Sequence, residues 1–201
     1  MIRHRHKPLR FEKKSLDDNL EGIVELTHFL PESLELNNIT DYLADKKYWI
    51  VAARDPETNK EVGSAIWYEV EPGKVEYWLS MVDPAYSGRK LGARLLDLAM
   101  GISSQQGYAK IVLTTFNKCK GMLKLCKRRN FLPQGSRKLE VPYGSNDFAI
   151  DFEYDFGIDN QRKLSYVVNE SSNGKKSNDS LSHGTPLTPP INESCFNEYP
   201  L

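Results

Sequence analysis

Between Tyr48 and Val82 the chain reads as three strands joined by two tight turns, and by Leu91 it reads as a helix. Tyr48–Ala53 is rich in β-branched and aromatic residues, and Asp55 to Lys60 is a turn sequence. Val62–Val70 is a second apolar run, Glu71-Pro72-Gly73-Lys74 a second tight turn, and Val75–Val82 a third run. Connections this short make neighbouring strands antiparallel, so the three form a meander. The period then changes. Leu91, Leu95, Leu98 and Ile102 recur at helical spacing, and Gly107 is placed to end that helix. A meander that feeds a helix restricts the chain to a mixed α/β architecture, a mainly antiparallel sheet flanked by helices.

The flanking segments extend the same pattern. Pro8–Lys14 reads as a strand, and Ser15 is placed to cap a helix through about His28, with Leu16, Leu20, Ile23 and Val24 on one face. A short helix is expected over Ile39–Asp45, a buried strand over Lys110–Thr115 and a helix over Lys118–Arg129. Arg137–Val141 and Phe148–Tyr154 read as a closing strand pair. This gives one folded domain over residues 1–157. From 158 to 201 Asn, Ser, Lys, Gly and Pro dominate, and such a segment buries too little apolar surface to offset chain entropy; it reads as a disordered polar tail.

Composition removes several functions. Lys+Arg and Asp+Glu both total 27, so the chain lacks the basic excess of a general nucleic-acid binder. No apolar run is long enough to span a membrane. Cys119 and Cys126 lie too far apart along one helix for a disulfide, and with Cys195 they form a sparse, odd set that fits a reducing cytoplasm. No Cys/His spacing resembles a metal site.

The strand-to-helix junction, Ser87-Gly88-Arg89-Lys90-Leu91-Gly92-Ala93, carries the chemistry. A helix N-terminus exposes unpaired N–H groups at the positive end of its dipole, which favours an anion. Gly88 and Gly92 clear side chains from that backbone, and Arg89 and Lys90 add positive charge. The stretch fits neither a Walker loop nor a dinucleotide fingerprint. Its two readings are a pyrophosphate cradle and a turn whose glycine serves close packing.

In context the junction resembles the GNAT superfamily of acetyl-CoA-dependent N-acetyltransferases. Their signature is a strand ending in Val-x-Pro, an aromatic, then Gln or Arg, two free positions, Gly, one free position, and Gly or Ala. This chain has Val82-Asp83-Pro84, Tyr86, and Ser87 through Gly92, with Ser87 at the Gln or Arg and Lys90 at the first glycine. The family's later motif, Asn-x-x-Ala-x-x-x-Tyr-x-x-x-Gly-Phe, is echoed from Cys119 to Asn130-Phe131. There Cys119 replaces Asn, with Asn117 two places early, Met122 replaces Ala, Cys126 replaces Tyr and Asn130 replaces Gly. Lys90 is expected in a helical first turn, and Asn130 in the left-handed conformation at a helix end.

The resemblance implies transfer of an acetyl group from acetyl-CoA to a primary amine, by direct attack in a ternary complex. The pantetheine arm would lie beside Met81 and Val82, with Val82 N–H facing the oxyanion. The pyrophosphate would sit on amides of Ser87, Gly88, Arg89, Lys90, Leu91, Gly92 and Ala93, and Asn117 would help bind the cofactor. Glu76 resembles the family's catalytic base, and is expected on one strand face with Trp78, Ser80 and Val82. Cys126 stands where the family places the acid that reprotonates the thiolate. No metal is implied. The acceptor would be a small amine, a protein lysine or an N-terminus, and a homodimer is a further option. The altered motif also admits an eroded CoA-binding or protein-interaction module.

Overall fold

The structure, a computed structural model, describes residues 8–27, 36–138 and 148–157. The tail expected beyond residue 157 lies outside the described residues. The order is β1 (Arg10–Lys14), α1 (Leu16–Thr27), α2 (Leu36–Leu43), β2 (Tyr48–Arg54), β3 (Glu61–Glu71) and β4 (Lys74–Val82). After a short 3-10 turn, Pro84–Tyr86, come α3 (Leu91–Gln105), β5 (Lys110–Phe116), α4 (Lys120–Arg128), β6 (Leu132–Lys138) and β7 (Phe148–Asp155). The seven strands form one sheet in the order β1-β2-β3-β4-β5-β7-β6, in which only β4 and β5 pair parallel. The expected mixed α/β fold with a mainly antiparallel sheet is observed.

Apolar residues cover both faces of the sheet, as helices on each side require. One core gathers Trp67, Val75, Tyr77, Leu95, Leu96, Ile111 and Cys126 under α3. The other gathers Ile23, Leu26, Ile39, Ile50, Ile66, Leu79 and Met81 under α1 and α2. Ser15 caps α1, since the Asp18 N–H donates to its Oγ at 3.1 Å.

Strand β4 contributes to both cores, because a bulge interrupts it. Ile66 pairs with Leu79 and Trp67 with Tyr77, which leaves Trp78 as the extra residue. Val75 and Tyr77 therefore face the α3 side, whereas Leu79 and Met81 face the α1 side. This corrects the expectation of one shared face. Glu76 lies opposite Tyr68 on the α1 side, while Ser80 lies opposite Ala65 on the α3 side.

The closing pair also differs from its expected bounds. Strand β6 begins at Leu132 rather than Arg137, and all seven of its residues are exposed. An edge strand without a buried face shows no apolar alternation, and Pro133 is tolerated there because an edge can forgo a ladder bond.

A buried polar cluster joins α1 to β3. Asn19 Nδ2 donates to Ser64 Oγ at 3.2 Å. Asn19 Oδ1 and Glu61 Oε1 are buried with no hydrogen-bond partner. A Cβ on Gly22 would stand 2.4 Å from Glu61 Oε2, so glycine makes room for this carboxyl. Burial pushes Glu61 up to about 7 from 4.5, while Asn19, Arg54 and Lys14 pull the other way. The folded state thus binds this proton more tightly than the unfolded state. Its stabilisation is complete below about pH 4.5 and lost as pH rises to about 7. Glu61→Gln supplies a permanent donor in place of that proton. It should raise stability at pH 8 by about 2 kcal/mol, allowing for partial solvent access, and flatten the profile. Thermal melts of both proteins at pH 5 and pH 8 check this; equal gains at both pH values would remove Glu61 from the role.

Candidate active site

Strands β4 and β5 pair only where Lys74, Val75 and Glu76 meet Lys110, Ile111 and Val112. Beyond that point β4 stays on β3 and β5 stays on β7, so the two diverge into a wedge. The bulge at Trp78 lies where they part, consistent with the bend such an insertion gives a strand. Asp83 N–H donates to Val62 O at 2.9 Å, on the β3 side. Strand alternation then turns the Val82 N–H towards the wedge. The Met81 side chain is buried on the α1 side, and its carbonyl lies against Gly63.

The chain leaves β4 through a tightly bonded turn. Asp83 caps it, its Oδ1 accepting from Ala85 N–H at 2.8 Å. The Tyr86 hydroxyl donates to Asp55, which ties the turn to the β2–β3 loop. That hydrogen bond holds the Asp55 carboxyl below its ordinary value and the Tyr86 phenol above its own. The Arg89 guanidinium lies 4.6 Å from the Tyr86 ring centroid.

Of the seven junction amides, Ser87 N–H donates to Pro84 O at 3.0 Å and Arg89 N–H to Tyr86 O at 3.4 Å. Those of Gly88, Lys90, Leu91, Gly92 and Ala93 have no protein acceptor among the described residues. The first intrahelical bond runs from Arg94 N–H to Lys90 O at 3.1 Å. Gly88 has φ 79°, the left-handed region that favours glycine. Gly92 leaves the backbone bare, since a Cβ there would meet only Val82 Cγ2, at 3.9 Å. These amides at the positive end of α3 suit an anion, and the exposed Arg89 and Lys90 lie beside them.

Lys90 is not in a helical first turn. It precedes α3 with φ 59° and ψ 18°, in the left-handed region. A side chain there costs about 1 kcal/mol, so Lys90→Gly should stabilise the fold by about 0.5–1 kcal/mol. Denaturant titration would show it; a loss of stability would mean that the lysine side chain holds the turn.

On the opposite face of the sheet stands Glu76, half-buried on β4. Its cross-strand partner Tyr68 donates a hydrogen bond to Glu76 Oε2 at 2.5 Å. The Tyr68 hydroxyl also lies 2.7 Å from that of Tyr42 on α2. Because Tyr68 has one proton and gives it to Glu76, Tyr42 is the donor to Tyr68. Burial first, then the Glu76 hydrogen bond, push the Tyr68 phenol well above its ordinary range, so it remains a donor. Tyr42 carries no motif; only the packing of α2 brings it to this chain of hydrogen bonds.

The remaining expected residues sit apart from this chain. Cys126 on α4 is wholly buried in the α3-side core, and burial pushes its thiol up to about 11. Asn117 joins β5 to β7: its N–H donates to Phe148 O at 2.9 Å and its Oδ1 accepts from Phe148 N–H at 3.2 Å. Arg129 forms a two-bond pair with Asp97, at 2.5 and 2.6 Å, linking α4 to α3. Asn130 takes φ 58°, as expected where the family carries glycine, and Phe131 N–H closes the turn onto Cys126 O at 3.0 Å. Among the described residues no group of three His, Cys, Asp or Glu is placed to hold a metal ion. No helix there is long and apolar enough to cross a membrane.

Known structures share this architecture. A putative acetyltransferase from Acinetobacter baylyi superposes with a TM-score of 0.64 at 16% identity, covering 74% of this chain and 92% of that one. The ribosomal-protein-S18-alanine N-acetyltransferase of Escherichia coli gives 0.65 at 16% identity, covering 74% and 94%. A Bacillus subtilis acetyltransferase in complex with CoA gives 0.58 at 17% identity, covering 74% and 99%. No curated protein sequence matches the chain significantly. Residues 18–131 match the model of the Acetyltransferase (GNAT) family. That match takes in the meander, the anion-suited turn and the α4 motif. The chain belongs to the GNAT acetyltransferase family and is an acyltransferase of the N-acetyltransferase type.

Proposed function

We propose that the protein transfers an acetyl group from acetyl-CoA to a primary amine by direct attack within a ternary complex. The observation that carries this reading is the set of five unpaired amides, Gly88 and Lys90 to Ala93, beside the open edge of β4. The residues fit the cofactor on that ground. The amides would take its pyrophosphate, with Arg89 and Lys90 adding charge. The backbone near Val82 would take its pantetheine arm. When bound, acetyl-CoA supplies an activated thioester carbonyl.

The chain's own groups then have distinct tasks. The Val82 N–H, turned to the wedge, is the donor for the developing oxyanion. An alkylamine has a pKa of about 10.4 and must lose a proton before it attacks. Glu76 accepts that proton, directly or through water, and Tyr68 holds the carboxylate in place. Complete burial fits Cys126 to packing better than to the acid role, which leaves solvent to protonate the thiolate. Asn117 serves the β5–β7 junction. The free thiols of Cys119 and Cys126 favour a cytoplasmic setting.

Titration with acetyl-CoA, followed by thiol release over a panel of primary amines, tests the reading. Saturable binding with amine-dependent thiol release is expected. Binding without turnover would favour a CoA-binding module, and no binding would overturn both.

A further inference from the structure

An ammonium already rests on the aromatic surface that leads to Glu76. Lys46 Nζ lies 4.2 Å from the Tyr42 ring centroid and 5.7 Å from that of Tyr68. Tyr42 stacks on Trp78, with centroids 4.6 Å apart and planes 24° apart. Tyr68 meets both rings edge-on, at 5.6 and 6.2 Å. The three rings come from α2, β3 and β4, so tertiary packing assembles the surface. Tyr42 is 40% exposed, which leaves part of the surface open to a ligand.

The chemistry of this surface is specific. Aromatic faces carry partial negative charge and attract cations. The hydrogen-bonded series Tyr42–Tyr68–Glu76 connects those rings to a carboxylate. The Lys46 ammonium also donates to Tyr42 O at 2.8 Å and to Asp45 at 3.3 Å. The Asp45 side chain is 85% exposed, so that pair is weak and exchangeable.

We propose, resting on the acetyltransferase reading above, that Tyr42, Tyr68 and Trp78 form the acceptor's cation seat and that Lys46 is its resident occupant. The acceptor is a lysine-like ammonium on an unbranched alkyl stem, which enters by displacing the Lys46 head group. The class follows from the occupant: an ε-ammonium on a four-carbon stem is the group that now covers Tyr42. An α-amino group at a chain terminus has a branched carbon next to the nitrogen and lacks such a stem.

The test uses the full chain with acetyl-CoA and lysine blocked at its α-amine and carboxyl groups. Blocked norleucine serves as the neutral isostere, and an alanine-ended tripeptide as the competing class. Lys46→Met keeps the stem and removes the charge; it should lower KM for blocked lysine about fivefold. Tyr42→Leu removes an aromatic face and, with the hydroxyl, the hydrogen bond to Tyr68; it should raise KM about tenfold. Blocked norleucine should not inhibit. Unchanged KM in both variants, or a higher kcat/KM for the tripeptide, would overturn the seat. Tryptophan fluorescence reads the seat without turnover. A saturable response to blocked lysine, lost in Tyr42→Leu, supports it, and no saturable response overturns it. That response in a protein without turnover would overturn the proposed function and leave the seat standing.

Discussion

Glu76→Gln should lower kcat for amine acetylation by about 100-fold or more and leave acetyl-CoA affinity unchanged. The substitution is nearly isosteric. Its amide oxygen can still accept from Tyr68, so the Tyr42–Tyr68 contact and the strand pairing survive. What it loses is the capacity to take a proton from the attacking amine. The acidic limb of the kcat profile, which reports the base in its protonated form, should change with it. The cradle proposed for the cofactor consists of backbone at residues 88–93, beyond the bulge that separates Glu76 from Ser80 and Val82. Steady-state kinetics across pH, with acetyl-CoA titration of both proteins, checks the split. An unaltered profile with full turnover would remove Glu76 from the mechanism.

Gly92→Glu should weaken acetyl-CoA binding by at least about 100-fold without unfolding the protein. The fold tolerates a side chain there, because a Cβ meets nothing closer than Val82 Cγ2 at 3.9 Å. Gly92→Ala is therefore the control for fold. The carboxylate, by contrast, would stand among the amides of Lys90, Leu91 and Ala93, where a diphosphate would sit. Like charges about 4 Å apart near a protein surface repel by roughly 4 kcal/mol, less in salt. Calorimetric titration with thermal melts distinguishes the outcomes. Unchanged affinity in a folded Gly92→Glu protein would place the cofactor elsewhere.

The elements most legible in the sequence were those with local signals. Tight turns at Asp55 to Lys60 and Glu71 to Lys74 delimited the meander, and the change of period at Leu91 announced α3. The glycines of the junction pointed to bare backbone where the structure has unpaired amides. Less legible features depend on partners distant in the chain. The bulge at Trp78 is a register event between β3 and β4. Burial still alternates through Val75, Tyr77, Leu79 and Met81, so neither strand alone reveals that the faces exchange. Strand β6 is exposed along its length and carries no pattern to read. Tyr42 joins Glu76 only through the packing of α2, and Glu61 acquires its raised pKa only beneath Gly22.

On the reading proposed above, the unpaired amides at the start of α3 hold the diphosphate while the open edge of β4 takes the thioester arm. Amide chemical shifts during titration with acetyl-CoA test it most directly. The largest saturable shifts are expected at Gly88, Lys90, Leu91, Gly92, Ala93 and Val82, with smaller ones at Ser87 and Arg89, whose N–H groups already have acceptors. Saturable binding that leaves those six amides in place and moves others would contradict it.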